Sequence, residues 1–229
     1  QYDESDLMIS GYYRFGTTDY DYEKPEGSFR AQLGGTSISL DYSKPQFDKT
    51  VEEVLEDYKK EFSEDIINLY KTTRKIDNFV VENKEGCFDL SSAFPGCNVY
   101  FNMGEKFSKA WISILDIDNK AIFLGRGDPW TPEGFIILLH EVGHYKDYLR
   151  SNPLELHAKT ISSSLINKRQ GSEFDAERFL QDERNAWAFA LKDLKPFTKD
   201  LDIYLDDLGK EIHGFCLKSY SDAIKEVLG

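Results

Sequence analysis

His140, Glu141 and His144 form the pattern H-E-x-x-H within His140-Glu141-Val142-Gly143-His144. In a helix, residues four apart lie one turn apart on the same face. Two imidazoles so placed can both reach one zinc ion, whose histidine nitrogens sit about 2.0–2.1 Å from the metal. A carboxylate directly after the first histidine projects beside such an ion, not onto it. From there Glu141 can take a proton from a water that zinc acidifies from a pKa of about 15.7 towards 7. The predicted chemistry is metal-assisted hydrolysis with Glu141 as general base. The competing expectation is two surface histidines on an amphipathic helix. Gly143 weighs against it, because glycine costs about 1 kcal/mol relative to alanine in a helix interior. Its presence predicts that another backbone or the metal site passes close by.

A catalytic zinc site takes three protein ligands and keeps one position open. The extended pattern with Gly at 147 and His at 150 is absent, since Asp147 and Arg150 stand there. Downstream candidates for the third ligand are His157, Asp175, Glu177, Asp182, Glu183 and His213. Helical spacing separates them. The positions three and four away from Glu183 are Phe179, Leu180, Ala186 and Trp187, and Ala190 continues that apolar stripe. A carboxylate on a buried face is costly unless it is paired or holds a metal. Glu183 is therefore the expected ligand; the alternative is a buried salt bridge to Arg150 or Lys146. Asp147 is a local candidate to receive the second ring N–H of a ligating histidine.

These residues need elements to hold them. Thr131 can cap a helix with Pro132 at its first position and Glu133 in its first turn, running to about Leu149. Phe135 to Leu139 is apolar on all sides, so the first half of that helix should be buried. A second long helix is expected from Glu173 to Leu194, after Gln170-Gly171. Before them, residues 111–117 and 121–124 read as a hairpin, and 78–81 as a strand. Ser28 to Leu33 and Thr36 to Tyr42 flank Gly34-Gly35 as a β-hairpin, with Ile9 to Phe15 as a candidate third strand. Residues 50–72 carry a capping box (Thr50, Glu53) and helical apolar spacing. After Pro153 the chain reads as linker, with a short helix at 161–167. The tail from Leu201 reads as two short helices separated near Gly214.

The sequence of 229 residues, 40% hydrophobic and 30% charged, fits one large domain or a domain with an extension. We divide it into an N-terminal β-rich extension or edge, 1–45, and a main body, 46–229. Net charge is -13, from 28 Lys and Arg against 41 Asp and Glu. That balance argues against nucleic acid or an anionic membrane surface as partner. The longest apolar run, Phe135 to Leu139, is far too short to span a bilayer. The chain starts at Gln1 and not Met, as a processed and exported chain would, though the compartment stays open. Among the three cysteines, Cys87 and Cys97 bracket a turn with Pro95 and Gly96 and could be bridged in an oxidising compartment. The other expectation is three free thiols.

Glu183-x-x-Ala186-x-x-Phe189-Ala190 following His140-Glu141-x-Gly143-His144 resembles the gluzincins. Across residues 110–195 the chain is most similar to the ImmA/IrrE-type peptidases and the catalytic domain of anthrax lethal factor. The resemblance implies an α+β, zincin-like fold, with a small mixed sheet packed on the H-E-x-x-H helix and a glutamate-bearing helix. Its edge strand, expected at Ala121 to Leu124, would pair with an extended peptide substrate. It implies one Zn2+ per chain on His140, His144 and Glu183, with Glu141 as catalytic base. Such enzymes carry a Tyr or His that stabilises the oxyanion, and lethal-factor-like domains place a Tyr between the second His and the glutamate. No Tyr lies between Tyr148 and Tyr204 here. His157, Tyr204, His213 and Tyr220 are the candidates, with His213, beside Gly214, taken as the catalytic one. The expected function is a zinc-dependent endopeptidase acting on a peptide or protein. Its alternatives are an inactive zincin-like binding module and a latent protease held by its N-terminal segment.

Overall fold

The computed structural model describes residues 26–43, 74–101, 113–116, 120–124, 129–167 and 170–228. The helix expected at 50–72 and the strand expected at 9–15 lie outside them. The protein is α+β, built on one mixed seven-stranded sheet in the order β1-β2-β3-β5-β7-β6, with β4 pairing β3. Strands β1 (Gly27–Leu33) and β2 (Thr36–Ser43) form the expected hairpin. Gly34 has φ +53 in its turn, a conformation that glycine adopts without a Cβ penalty. The two strands do not stand apart from the rest. β2 pairs along β3 (Arg74–Asn83), from Ser37 against Glu82 to Ser43 against Lys75. Thr36 also donates a 2.7 Å hydrogen bond to Asp200, far along the chain. That bond, with an N–H from Gly35, holds the Asp200 carboxyl below its ordinary range.

Short strands β4 (Gly86–Asp89) and β5 (Asn98–Phe101) are not legible in the sequence, nor is the four-residue helix α1 (Leu90–Ala93) between them. β5 decides the sheet order. It pairs in parallel with β7 (Ala121–Leu124), whose other side carries β6 (Ser113–Asp116) antiparallel. The expected edge strand is therefore an interior one, and all four of its residues are buried. The edge is β6. The sequence indicates the β6–β7 hairpin but not which member faces outward, because that depends on a third strand.

Helix α2 (Pro132–Arg150) packs on the sheet with the predicted cap, the Thr131 side chain accepting from Gly134 N at 3.1 Å. Its apolar half is buried as expected, with Phe135, Leu138 and Leu139 at 0% exposure. Phe135 meets Phe79, Phe88 and Phe197 at 5.6–5.9 Å between ring centroids. One and a half turns past the H-E-x-x-H start, Tyr145 stacks on Phe94 at 3.6 Å. These aromatic contacts fix the helix against the sheet both before and after the motif.

Helix α3 spans Pro153–Asn167, not only its second half. The Asn152 side chain accepts from Leu154 N and Glu155 N, while Glu155 accepts from Asn152 N. This reciprocal cap starts a helix where the sequence reads as linker. Helix α4 (Glu173–Leu194) starts at a Ser172–Asp175 capping box. In the tail, α5 (Leu205–Glu211), a π turn (Ile212–Leu217) and α6 (Lys218–Leu228) follow without a break. Gly214 therefore does not interrupt the tail, contrary to expectation. Leu208, Ile212 and Leu217 are all buried, at steps of four and then five. The extra residue of the π turn keeps the five-step pair on the core side. No helix among the described residues is long and apolar enough to cross a membrane.

Candidate metal centre

The two central helices meet at glycine. A Cβ built on Gly143 would lie 2.3 Å from the carbonyl oxygen of Ala186. Only glycine lets α2 and α4 approach this closely, and Ala186 is itself fully buried at the crossing. Ala186 lies three residues after Glu183, so the crossing brings the carboxylate of one helix against the imidazoles of the other. The second backbone that Gly143 predicted is α4.

Three donor groups converge there. His140 Nε2 lies 3.2 Å from His144 Nε2 and 3.3 Å from Glu183 Oε2. His144 Nε2 lies 3.5 Å from Glu183 Oε1. Donors about 2.0–2.1 Å from a tetrahedral ion are held about 3.3–3.4 Å apart by geometry alone. The three contacts, which reach both oxygens of the Glu183 carboxylate, are close to that spacing. Glu183 Oε2 is a buried atom that meets no hydrogen-bond criterion among the described residues, despite its closeness to His140. His140, Glu141 and Glu183 are all buried, at 8%, 7% and 7% exposure. Such a cluster costs desolvation energy that a cation would offset. Among the described residues, it is the one group of at least three His, Cys, Asp or Glu side chains close enough to hold a metal.

The electrostatics follow from burial and proximity. Burial raises the Glu141 carboxyl above its ordinary range; the charges of His140 and His144 pull it down and that of Glu183 pushes it up. Burial alone would raise Glu183 too, but hydrogen bonding and charge from the two histidines outweigh it and bring its pKa to about 2. His144 is raised, because the hydrogen bond and charge of Glu183 overcome the effect of burial.

The other sequence candidates are engaged elsewhere or exposed. Lys146 pairs with Asp193, and Arg150 lies 4.5 Å over the Phe189 ring, so neither takes the salt bridge offered as the alternative for Glu183. Asp147 accepts from Lys159 and from Asn185 Nδ2, not from a motif histidine. Asp182 pairs with Lys159 at 3.1 Å, Glu177 with Arg184 at 3.7 Å, and Asp175 closes its capping box. His157 and His213 are exposed, His213 on the π turn, and neither belongs to the donor group. Tyr204 is 64% exposed.

Tyr220 is also exposed, at 38%, but differs from these in what surrounds it. Its ring meets Phe179 edge-on at 5.4 Å, one helical turn before Glu183. Burial, then the charges of Glu183 and Glu141, push its phenol well above the ordinary value. The charges of the two carboxylates of the site thus reach a phenol of the tail. One turn earlier, Cys216 is also pushed up, to about 11, by burial and by Glu183. None of the three cysteines is in a disulfide. The Cys87–Cys97 bridge is absent because β4 turns Cys87 to solvent while Cys97 packs against the core, where burial pushes its thiol up to about 12. Comparison with protein-family models, curated proteins and solved structures finds no match to this chain.

Proposed function

We propose that the protein is a zinc-dependent endopeptidase of zincin-like architecture, with His140, His144 and Glu183 as metal ligands. The observation that carries this reading is the convergence of His140, His144 and Glu183, with the two Nε2 atoms 3.2 Å apart and lying 3.3 and 3.5 Å from the two oxygens of the Glu183 carboxylate. A bound zinc supplies Lewis-acid chemistry, polarising a carbonyl and making water a better nucleophile at neutral pH. The chain's own residues do the rest. Glu141, next to a ligand yet outside the donor group, takes the proton of the attacking water and returns it to the leaving amine. Its raised pKa suits a base that must also act as an acid. A purely structural zinc site would be closed by four protein ligands and would have no use for a buried carboxylate beside it. β6, at the end of the described sheet, is the strand with which an extended peptide would pair.

The role of donor to the carbonyl oxygen falls to Tyr220 over His213. Tyr220 stands in the field of both active carboxylates, and its high pKa keeps the hydroxyl protonated at working pH. Tyr220→Phe is expected to lower kcat by about 10²–10³-fold with zinc content unchanged, whereas His213→Ala should change it less than about threefold. Equal effects of the two variants would return the role to the π turn. The function itself is tested by elemental analysis of the purified protein and a peptide-library digestion. About one zinc per chain and chelator-sensitive cleavage are expected. Stoichiometric zinc with no cleavage of any peptide would leave a binding module instead.

A further inference from the structure

Ligating histidines ordinarily donate their second ring N–H to a carboxylate, a carbonyl or water, which fixes the ring plane. No side chain or carbonyl among the described residues takes that N–H of His140. Its Nδ1 is buried and has no hydrogen-bond partner among the described residues. Asp147, the nearest carboxylate in sequence after the motif, is taken by Lys159 and Asn185. What meets the ring is Trp187. Its indole stacks on the imidazole with centroids 4.1 Å apart and planes 26° from parallel.

We infer that Trp187 is the positioning residue for His140, holding the imidazole plane by stacking where a hydrogen bond would otherwise do so. The proposal rests on the zinc-centre reading and adds a residue to it. Trp187 lies one turn after Glu183 on α4, so a single helix supplies both a ligand and the surface that orients another ligand. The indole packs against the hydrophobic core, and its own N–H is buried and unpartnered among the described residues. Among the described residues it is therefore anchored by packing and not by a polar contact. Rotation of the imidazole about its Cβ–Cγ bond would swing Nε2 out of the donor group. A flat aromatic surface at stacking distance obstructs that rotation.

The test compares Trp187→Phe, which keeps an aromatic face, with Trp187→Leu, which keeps an apolar side chain and loses the face. Zinc affinity is measured by chelator competition, site geometry by the visible spectrum of the cobalt-substituted protein, and packing by the melting temperature of the metal-free chain. Trp187→Leu should weaken zinc about tenfold and alter the cobalt spectrum. Trp187→Phe should stay within about threefold of wild type with an unchanged spectrum, although both variants lose core contacts. Affinity that falls equally in the two variants, in step with their melting temperatures, would mean Trp187 is only a packing residue. Wild-type affinity and spectrum in Trp187→Leu would also overturn the proposal. Failure of the zinc-centre reading is distinguishable, because the wild-type chain itself would then bind neither zinc nor cobalt.

Discussion

Glu141→Gln is expected to lower peptide hydrolysis by about 10²–10⁴-fold while zinc content stays at one ion per chain. Glutamine has the same shape and cannot accept a proton, so the variant isolates the base from the ligands. The side chain is 7% exposed and the carboxyl is raised by burial. Removing this buried charge relieves a desolvation cost, so the fold should melt no lower than wild type. The measurement is kcat/KM on a peptide taken from the library digestion, with metal analysis on the same sample. Full activity in this variant would remove Glu141 from the mechanism. Loss of zinc together with activity would make it a ligand instead.

Gly143→Ala is expected to destabilise the protein by about 3 kcal/mol, seen as a fall of about 6–12 °C in melting temperature for a chain of this size. The sign makes the test decisive. On helix propensity alone, alanine would stabilise by about 1 kcal/mol. Here its Cβ would fall 2.3 Å from the Ala186 carbonyl oxygen and 2.9 Å from the carbonyl carbon. Both atoms are backbone and cannot rotate aside, so the two helices must separate. Separation carries Glu183 away from His140 and His144, and the purified variant should hold less than stoichiometric zinc. A melting temperature at or above wild type would show that the crossing is looser than the structure has it.

The helix cap at Thr131 and the apolar run before the motif are legible in the sequence because both are local. So is the Gly34-Gly35 hairpin, where neighbouring residues alone set the turn. The start of α3 is not, because it depends on a side chain outside the helix: Asn152 caps a segment whose interior spacing is undistinguished. β4 and β5 are four residues each, too short for period-two alternation to register. Their existence depends on β3 and β7 offering partners. Gly214 reads as a break because glycine disfavours helix interiors, whereas the buried pair Ile212 and Leu217 overrides that preference.

At the site, the sequence by itself determined the set of groups: two histidines one turn apart, a carboxylate beside them, and a second carboxylate on an apolar helix face. Spacing along a helix is enough for that, since about 3.6 residues per turn fixes which side chains share a face. Which groups meet across helices was decided only by tertiary structure. Gly143 against Ala186 sets the distance that closes the donor group. The α2–α4 packing gives Lys146 and Asp147 other partners and leaves Glu183 to the histidines. The C-terminal helix brings Tyr220 towards Glu141 from 79 positions further along the chain. Such contacts have no signature in local spacing, because burying apolar surface, not sequence proximity, draws those helices together.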